Sequence, residues 1–188
     1  MPFEFLSTAV TGVKIINPKL FIDSRGSFYE AYKKSEFLGN GILSEFQQQN
    51  ISVSKKNVLR GLHYQLVPFS QGKLVSVLFG KIFDVAVDLR INFPTFKKYV
   101  CVILSAEEGN MIWIPEGFAH GFLSMAENTR VSYLTTKEYS PEHERGIIWN
   151  DPDLAIEWPE RNVILSAKDS HFPKLVDAEI NFNSGGQK

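Results

Sequence analysis

The sequence predicts an all-β protein, a double-stranded β-helix (jelly roll) with a few short helices. Short runs rich in β-branched and aromatic residues recur along the chain, punctuated by Gly, Pro, Asn and Asp, as in an all-β sandwich or barrel. Helical spacing is confined to two short stretches, and neither a fixed-period repeat nor a Pro- and Gly-rich linker divides the chain.

In chain order, the β-branched run Val13–Ile16 opens the strands, and Ser27–Ala31 follows with its aromatic pair Phe28-Tyr29. Lys33–Leu38 reads as a short helix. Val58–Leu62 and Leu74–Phe79 are apolar runs, and Phe79-Gly80-Lys81 has the form of a tight hairpin turn into Ile82–Leu89. Tyr99–Leu104, Met111–Ile114 and Val131–Thr135 complete the strands, and Pro141–Arg145 is a second short helical stretch. The polar, Gly-rich end from Asn181 to Lys188 reads as a frayed tail.

A length of 188 residues fits one domain spanning 1–188, and a formal net charge of −1 with mixed signs gives no basic stripe for nucleic acid. Nothing approaches the apolar length of a membrane span, and Met1-Pro2-Phe3-Glu4-Phe5 does not read as a signal peptide. The single cysteine, Cys101, rules out an intrachain disulfide and fits a reducing, cytoplasmic setting. Within Tyr99–Leu104 it reads as a small buried core residue.

A jelly roll can hold a ligand between its sheets, and two segments are expected to converge there. One is Arg60-Gly61-Leu62-His63-Tyr64-Gln65, running on to Lys73 and Gly80. The other, Gly109 to His120, has the Gly, Pro, Gly, His spacing of a second cupin motif, with His120 at the head of an inward-facing strand. Cupins bind a divalent metal through imidazole and carboxylate ligands. Here Gln65 stands where the second histidine of the first motif would be, and Lys73 falls at the glutamate position by its spacing to Gly80. A protonated ammonium repels a dication and has no lone pair to donate, so the reading is a cupin-like fold with no metal and no cofactor.

A cavity holding His63, Lys73 and Tyr133 combines a base, a cation and a phenolic acid, which suits proton removal next to a ketone. Histidine titrates near neutrality, Lys73 could stabilise the enolate oxygen, and a tyrosine proton delivered from the opposite face inverts the stereocentre. A buried carboxylate could orient the histidine, and Asp169 is a candidate. Taken singly each has an ordinary alternative: a structural histidine, a packing tyrosine in an alternating strand, a surface lysine. Spacing alone leaves the function open.

The chain resembles the dTDP-4-dehydrorhamnose 3,5-epimerase family from about Val13 to Pro173. The matching segments, in order, are Phe21–Glu30, Gln48–Ser54, Leu59–Gln65, Lys73–Val75, Asp84–Arg90, Ile114–Phe122, Trp149–Pro152 and Ser166–Asp169. The resemblance implies inversion of C3 and C5 of dTDP-4-dehydro-6-deoxy-glucose, both alpha to the C4 ketone. It implies His63 as proton acceptor paired with Asp169, Tyr133 as proton donor, and Lys73 against the C4 oxyanion. Tyr139 matches the residue that stacks on thymine. Arg25, Glu30, Gln48, Asn50, Arg60, His120, Glu144 and Lys168 match substrate-contacting positions, the cationic ones suiting the diphosphate. It further implies a homodimer in which the N-terminal arm bearing Arg25 and Glu30 reaches a partner's site.

Departures from the family pattern lie at Gln47 to Asn50, at Pro68 to Gly72 and at Ser170-His171, and they leave room for a shifted nucleotide or sugar preference. The same residues would serve an epimerase acting at one carbon or a ketoisomerase on a related 4-keto sugar. A non-enzymatic sugar-binding cupin would need no acid and base pair.

Overall fold

The computed structural model of the chain describes residues 2–43 and 45–182. Its strands are β1 Phe3–Ser7, β2 Lys14–Pro18, β3 Phe21–Asp23, β4 Gly26–Phe28, β5 Gln48–Ser54, β6 Leu59–Gln65 and β7 Lys73–Phe79. They continue with β8 Lys81–Asp88, β9 Tyr99–Ser105, β10 Met111–Ile114, β11 Phe118–Ser124, β12 Thr129–Thr135 and β13 Glu144–Gly146. One short helix, α1 Lys34–Gly39, stands near the start, and a 3₁₀ turn at Pro141–His143 replaces the second expected helix. A six-stranded sheet ordered β1-β2-β10-β7-β12-β5 faces a five-stranded sheet ordered β13-β6-β11-β8-β9, and β3-β4 forms a separate ribbon. All strand pairs are antiparallel, and the two large sheets make the jelly roll.

Strand alternation divides the apolar residues into three layers. Val75 and Val77 of β7, Ile112 and Ile114 of β10, Phe118 and Phe122 of β11 and Val131 of β12 meet between the sheets. Their neighbours Leu74, Met111 and Trp113 point the other way, where Phe37 of α1 and Phe3 cover them. On the far side Leu62, Tyr64, Val85, Val87 and Ala119 are covered by the chain after β13, through Ile147, Leu154, Trp158, Leu175 and Phe182. Being covered on both faces, β8 and β11 read as nearly continuous apolar runs.

Asp151 fastens that C-terminal cover. Its Oδ1 accepts the N–H groups of Asp153 and Leu154 at 2.9 and 3.0 Å, and its Oδ2 accepts that of Leu175 at 2.8 Å. The Trp149–Pro152 motif is therefore a structural tie for the segment carrying Asp169. Among the described residues, no helix is long and apolar enough to cross a membrane.

Three sequence expectations are corrected. Phe79-Gly80-Lys81 is not a hairpin: β7 and β8 lie in different sheets, and Gly80, at φ +79°, turns a corner between them against Thr129. Cys101 is exposed, because Val100 and Leu104 take the inward parity of β9 and leave Cys101 on the outer face of an edge strand. Asn181 and Phe182 are docked rather than frayed. Asn181 Oδ1 accepts the Val67 N–H at 3.0 Å, and the Phe182 ring packs at 5.9 Å from that of Tyr64. The rest of the expected tail, 183–188, lies outside the described residues.

Candidate active site

His63 and Arg60 are an odd number of residues apart on β6, which in a regular strand would send them to opposite faces. The register to β11 shifts between His120 and Phe122, so that His63 pairs with His120 while Arg60 pairs with Phe122. This bulge falls at Gly61 (φ +121°), where a Cβ would stand 2.5 Å from Gly121 Cα. Two glycines thus let β6 and β11 approach, and the extra residue returns both Arg60 and His63 to the barrel interior.

His63 is the centre of the arrangement. Its Nε2 lies 2.9 Å from Asp169 Oδ1, and Asp169 Oδ2 accepts the Gly61 N–H at 3.2 Å. Burial alone would raise the Asp169 carboxyl. The hydrogen bond and charge of His63, with the Gly61 N–H and Ser166, outweigh it and hold the group below its ordinary value. Phe172 sets its ring edge-on to His63, with centroids 5.4 Å apart. It occupies the space left by Gly146, the β13 partner of His63, where a Cβ would come within 2.5 Å of the ring. A cavity of about 350 Å³ opens beside this dyad between β6 and residues 164–169, with Arg60 and Lys168 in its lining.

From the opposite sheet Tyr133 faces inward between Val131 and Thr135. Its Oη lies 2.7 Å from Ser52 Oγ, and its ring is 6.2 Å from that of His120. Burial pushes the phenol far up, only partly offset by Ser52 and the Arg60 charge, so it stays protonated across ordinary pH. Lys73 shares the inward parity of Val75 and Val77 at the head of β7. Burial lowers its ammonium to about 8, while the charges of Glu144 and Asp84 work to raise it. Gln48 and Asn50 share the face of β5 that carries Ser52, and Gln48 Nε2 donates to Asn50 Oδ1 at 2.8 Å. Arg60 Nε donates to Ser54 Oγ at 3.0 Å on the same strand.

At the rim, Glu144 joins two loops: Tyr139 Oη donates to its Oε2 at 2.5 Å and Lys168 Nζ to its Oε1 at 2.6 Å. Burial pushes the Glu144 carboxyl up, but these two hydrogen bonds and the Lys168 and His63 charges bring it below its usual value.

The fold therefore brings together His63, Asp169, Lys73, Tyr133, Gln48, Asn50, Arg60 and His120, with Tyr139, Glu144 and Lys168 beside them. It does not bring Arg25: the guanidinium pairs with Asp23 of its own ribbon at 2.7 Å, and β3-β4 joins neither large sheet. Glu30 follows that ribbon, and its Oε2 is buried with no hydrogen-bond partner among the described residues.

The sequence reading gave no role to Asp84, whose Oδ2 lies 2.8 Å from His120 Nε2 in full burial. It also gave none to Ser52 or Phe172. For Asp84 the signal was available: a carboxylate at the inward parity of an apolar strand needs a partner. Phe172 carries no such signal, because its contact depends on a long-range return of the chain. At positions where a metal-binding cupin carries ligands, His63 and His120 face Asp169 and Asp84, and Gln65 bonds to backbone. Among the described residues, no group of three or more His, Cys, Asp or Glu side chains is placed to hold a metal ion.

Comparison with known proteins adds to this geometry. Residues 7–177 match the family model described as dTDP-4-dehydrorhamnose 3,5-epimerase. The Shigella flexneri protein of that name is 49% identical over 177 residues, covering 93% of this chain and 97% of its own. The solved dTDP-6-deoxy-D-glucose-3,5-epimerase of Legionella pneumophila, in complex with dTDP-4-keto-L-rhamnose, superposes with a TM-score of 0.89 at 46% identity, covering 93% of each chain. At 31% identity, a 3'-monoepimerase from Streptomyces bikiniensis in complex with dTDP-quinovose gives a TM-score of 0.84, covering 90% of this chain and 86% of its own. By sequence and by fold alike, the chain belongs to the dTDP-4-dehydrorhamnose 3,5-epimerase family.

Proposed function

We propose that the chain inverts C3 and C5 of dTDP-4-dehydro-6-deoxy-D-glucose, giving dTDP-4-dehydro-L-rhamnose. The observation that carries this is an oriented base and a protonated phenol on opposing sheets, facing one interior that also holds the partly buried ammonium of Lys73. His63 donates a hydrogen bond from its Nε2–H to ionised Asp169, which leaves Nδ1 with the lone pair that removes the proton alpha to the C4 ketone. Charge then develops on the C4 oxygen, and Lys73 neutralises it where burial weakens competition from water. Tyr133 delivers a proton to the opposite face of the carbon, and the configuration inverts. The substrate's own ketone acidifies both positions, so the chemistry draws on no redox step and no cofactor.

Tyr139 offers its exposed aromatic face to the thymine, while Arg60 and Lys168 serve the diphosphate. Gln48, Asn50, His120 and Glu144 contact the sugar and nucleoside. Arg25 and Glu30 act in a second subunit. The ribbon they border exposes Phe21 (50%), Ile22 (76%) and Phe28 (67%), and apolar surface of this kind on a projecting hairpin suits a homodimer with exchanged arms.

Proton NMR of the purified protein with dTDP-4-dehydro-6-deoxy-D-glucose in heavy water, with chelator present, tests the reaction. The expected result is deuterium at both C3 and C5, with a rhamnose-configured product trapped by a downstream reductase. Exchange at one carbon would make this a single-carbon epimerase, as the Streptomyces bikiniensis relative is named. A moved carbonyl would make it a ketoisomerase.

A further inference from the structure

Gln65 occupies the β6 position where a metal-binding jelly roll carries its second histidine, and it is only 4% exposed. Its amide is spent on backbone. Nε2 donates to Phe69 O at 2.6 Å and to Glu138 O at 3.3 Å, and Oε1 accepts the Ser140 N–H at 2.8 Å. From the other sheet, Gln48 Oε1 accepts the Tyr139 N–H at 2.8 Å. Three successive residues, Glu138, Tyr139 and Ser140, are thus held through their backbones by two glutamines, one from each sheet. The Tyr139 ring is 50% exposed and, among the described residues, its hydroxyl bonds to Glu144 alone, so the backbone anchor sets where the ring stands.

We propose that Gln65 and Gln48 form an amide clamp across the mouth of the barrel, and that Gln65 is a positioning residue for the nucleobase end of the substrate, acting through Tyr139. The inference rests on the proposed function. The chemistry at position 65 is restrictive: the side chain must donate twice and accept once. Glutamine does this, glutamate accepts only, and leucine does neither. Losing the donors leaves Phe69 O and Glu138 O without partners and frees the loop.

The test uses Gln65→Leu and Gln65→Glu in the full chain, with two readouts. The first is NMR hydrogen exchange of the Tyr139 and Ser140 amides without ligand. Exchange should quicken about tenfold or more in either variant, as expected when a local hydrogen-bonded unit opens. The second is the Kd for dTDP by calorimetry and the KM and kcat for the keto-sugar, each in the wild-type and Tyr139→Ala backgrounds. Gln65→Leu should raise Kd and KM about tenfold with kcat within about threefold, and add less than about twofold once Tyr139 is alanine, the coupling expected of residues acting as one unit. Unchanged amide exchange in both variants, a fall in kcat matching the rise in KM, or equal effects in both backgrounds would overturn the clamp. Should wild type fail to bind dTDP, the proposed function falls, and the amide exchange still decides whether the clamp exists. Gln65→Glu keeps shape and acceptor, so it supplies a folded variant if the leucine proves disruptive.

Discussion

The fold presses on the charge of Lys73. Burial brings its ammonium from 10.5 down to about 8, against the pull of Glu144 and Asp84. A catalytic role that needs the cation gives kcat an alkaline limb: the rate holds below about 8 and falls as pH rises through it. Stability responds in the opposite sense. Between about 8 and 10.5 the unfolded chain holds the proton that the folded chain has released, so this group's contribution to stability rises with pH across that window. Below it the fold bears the cost of a buried charge. Lys73→Met should therefore lose about 10²–10³-fold in kcat, the range for removing a charge-stabilising group, without losing stability at pH 7. Steady-state rates and urea unfolding of the same preparations check both; a variant as active as wild type would remove Lys73 from the chemistry. His63→Ala should lower kcat by roughly 10²–10⁴-fold, the usual contribution of a general base, while still binding dTDP. Tyr133→Phe should slow product formation more than loss of substrate hydrogen, because it removes the donor and leaves the base.

At the level of elements, what aims His63 is the meeting of β6, β13 and the returning chain. Gly146 has no side chain, Phe172 fills that space, and the ring closes against the imidazole. Gly146→Ala would put a Cβ 2.5 Å from the Phe172 ring, so the ring must shift from its place against His63. The expected cost is about 1–3 kcal/mol, typical of overpacking, together with reduced kcat; Tm and rate measurements check it. The same elements show what a sequence can and cannot reveal. Strands β7 to β10 were legible because their apolar runs are built for burial. Strand β5 was not, because its inward face is Gln48, Asn50, Ser52 and Ser54 and its outward Ile51 and Val53 are exposed, which reverses the usual pattern. The Gly80 corner resembled a hairpin because a positive-φ glycine between apolar runs serves both turns, and only the partners of β7 and β8 distinguish them. His63, Lys73, Tyr133 and Asp169 were nameable from residue chemistry and family pattern. The bulge that puts Arg60 beside His63, and the partners Asp84, Ser52 and Phe172, are consequences of pairing across the fold.

At the scale of the whole molecule, the unresolved economy of the fold is the ribbon β3-β4. A two-stranded hairpin is barely stable alone in water, and this one presents apolar side chains outward and joins neither large sheet. Among the described residues the Arg25 guanidinium pairs with Asp23 alone, while the cations lining the cavity beside His63 are Arg60 and Lys168. An arm that completes a neighbouring barrel accounts for both facts, and it makes a quantitative prediction. Arg25→Ala and His63→Ala should each be strongly impaired as pure preparations. In a mixed dimer with exchanged arms, the barrel of the Arg25→Ala subunit keeps its His63 and receives an intact arm from its partner, so one site is whole and the other carries both defects. Unfolding and refolding the two variants together in equal amounts should pair them at random. Activity should then return to about a quarter of wild type, half the dimers being mixed and each holding one good site. If the arm instead served its own barrel, every site in the mixture would carry one defect and no activity would return. The refolded mixture, assayed beside each variant refolded alone, separates the two arrangements without any knowledge of which carbon inverts first.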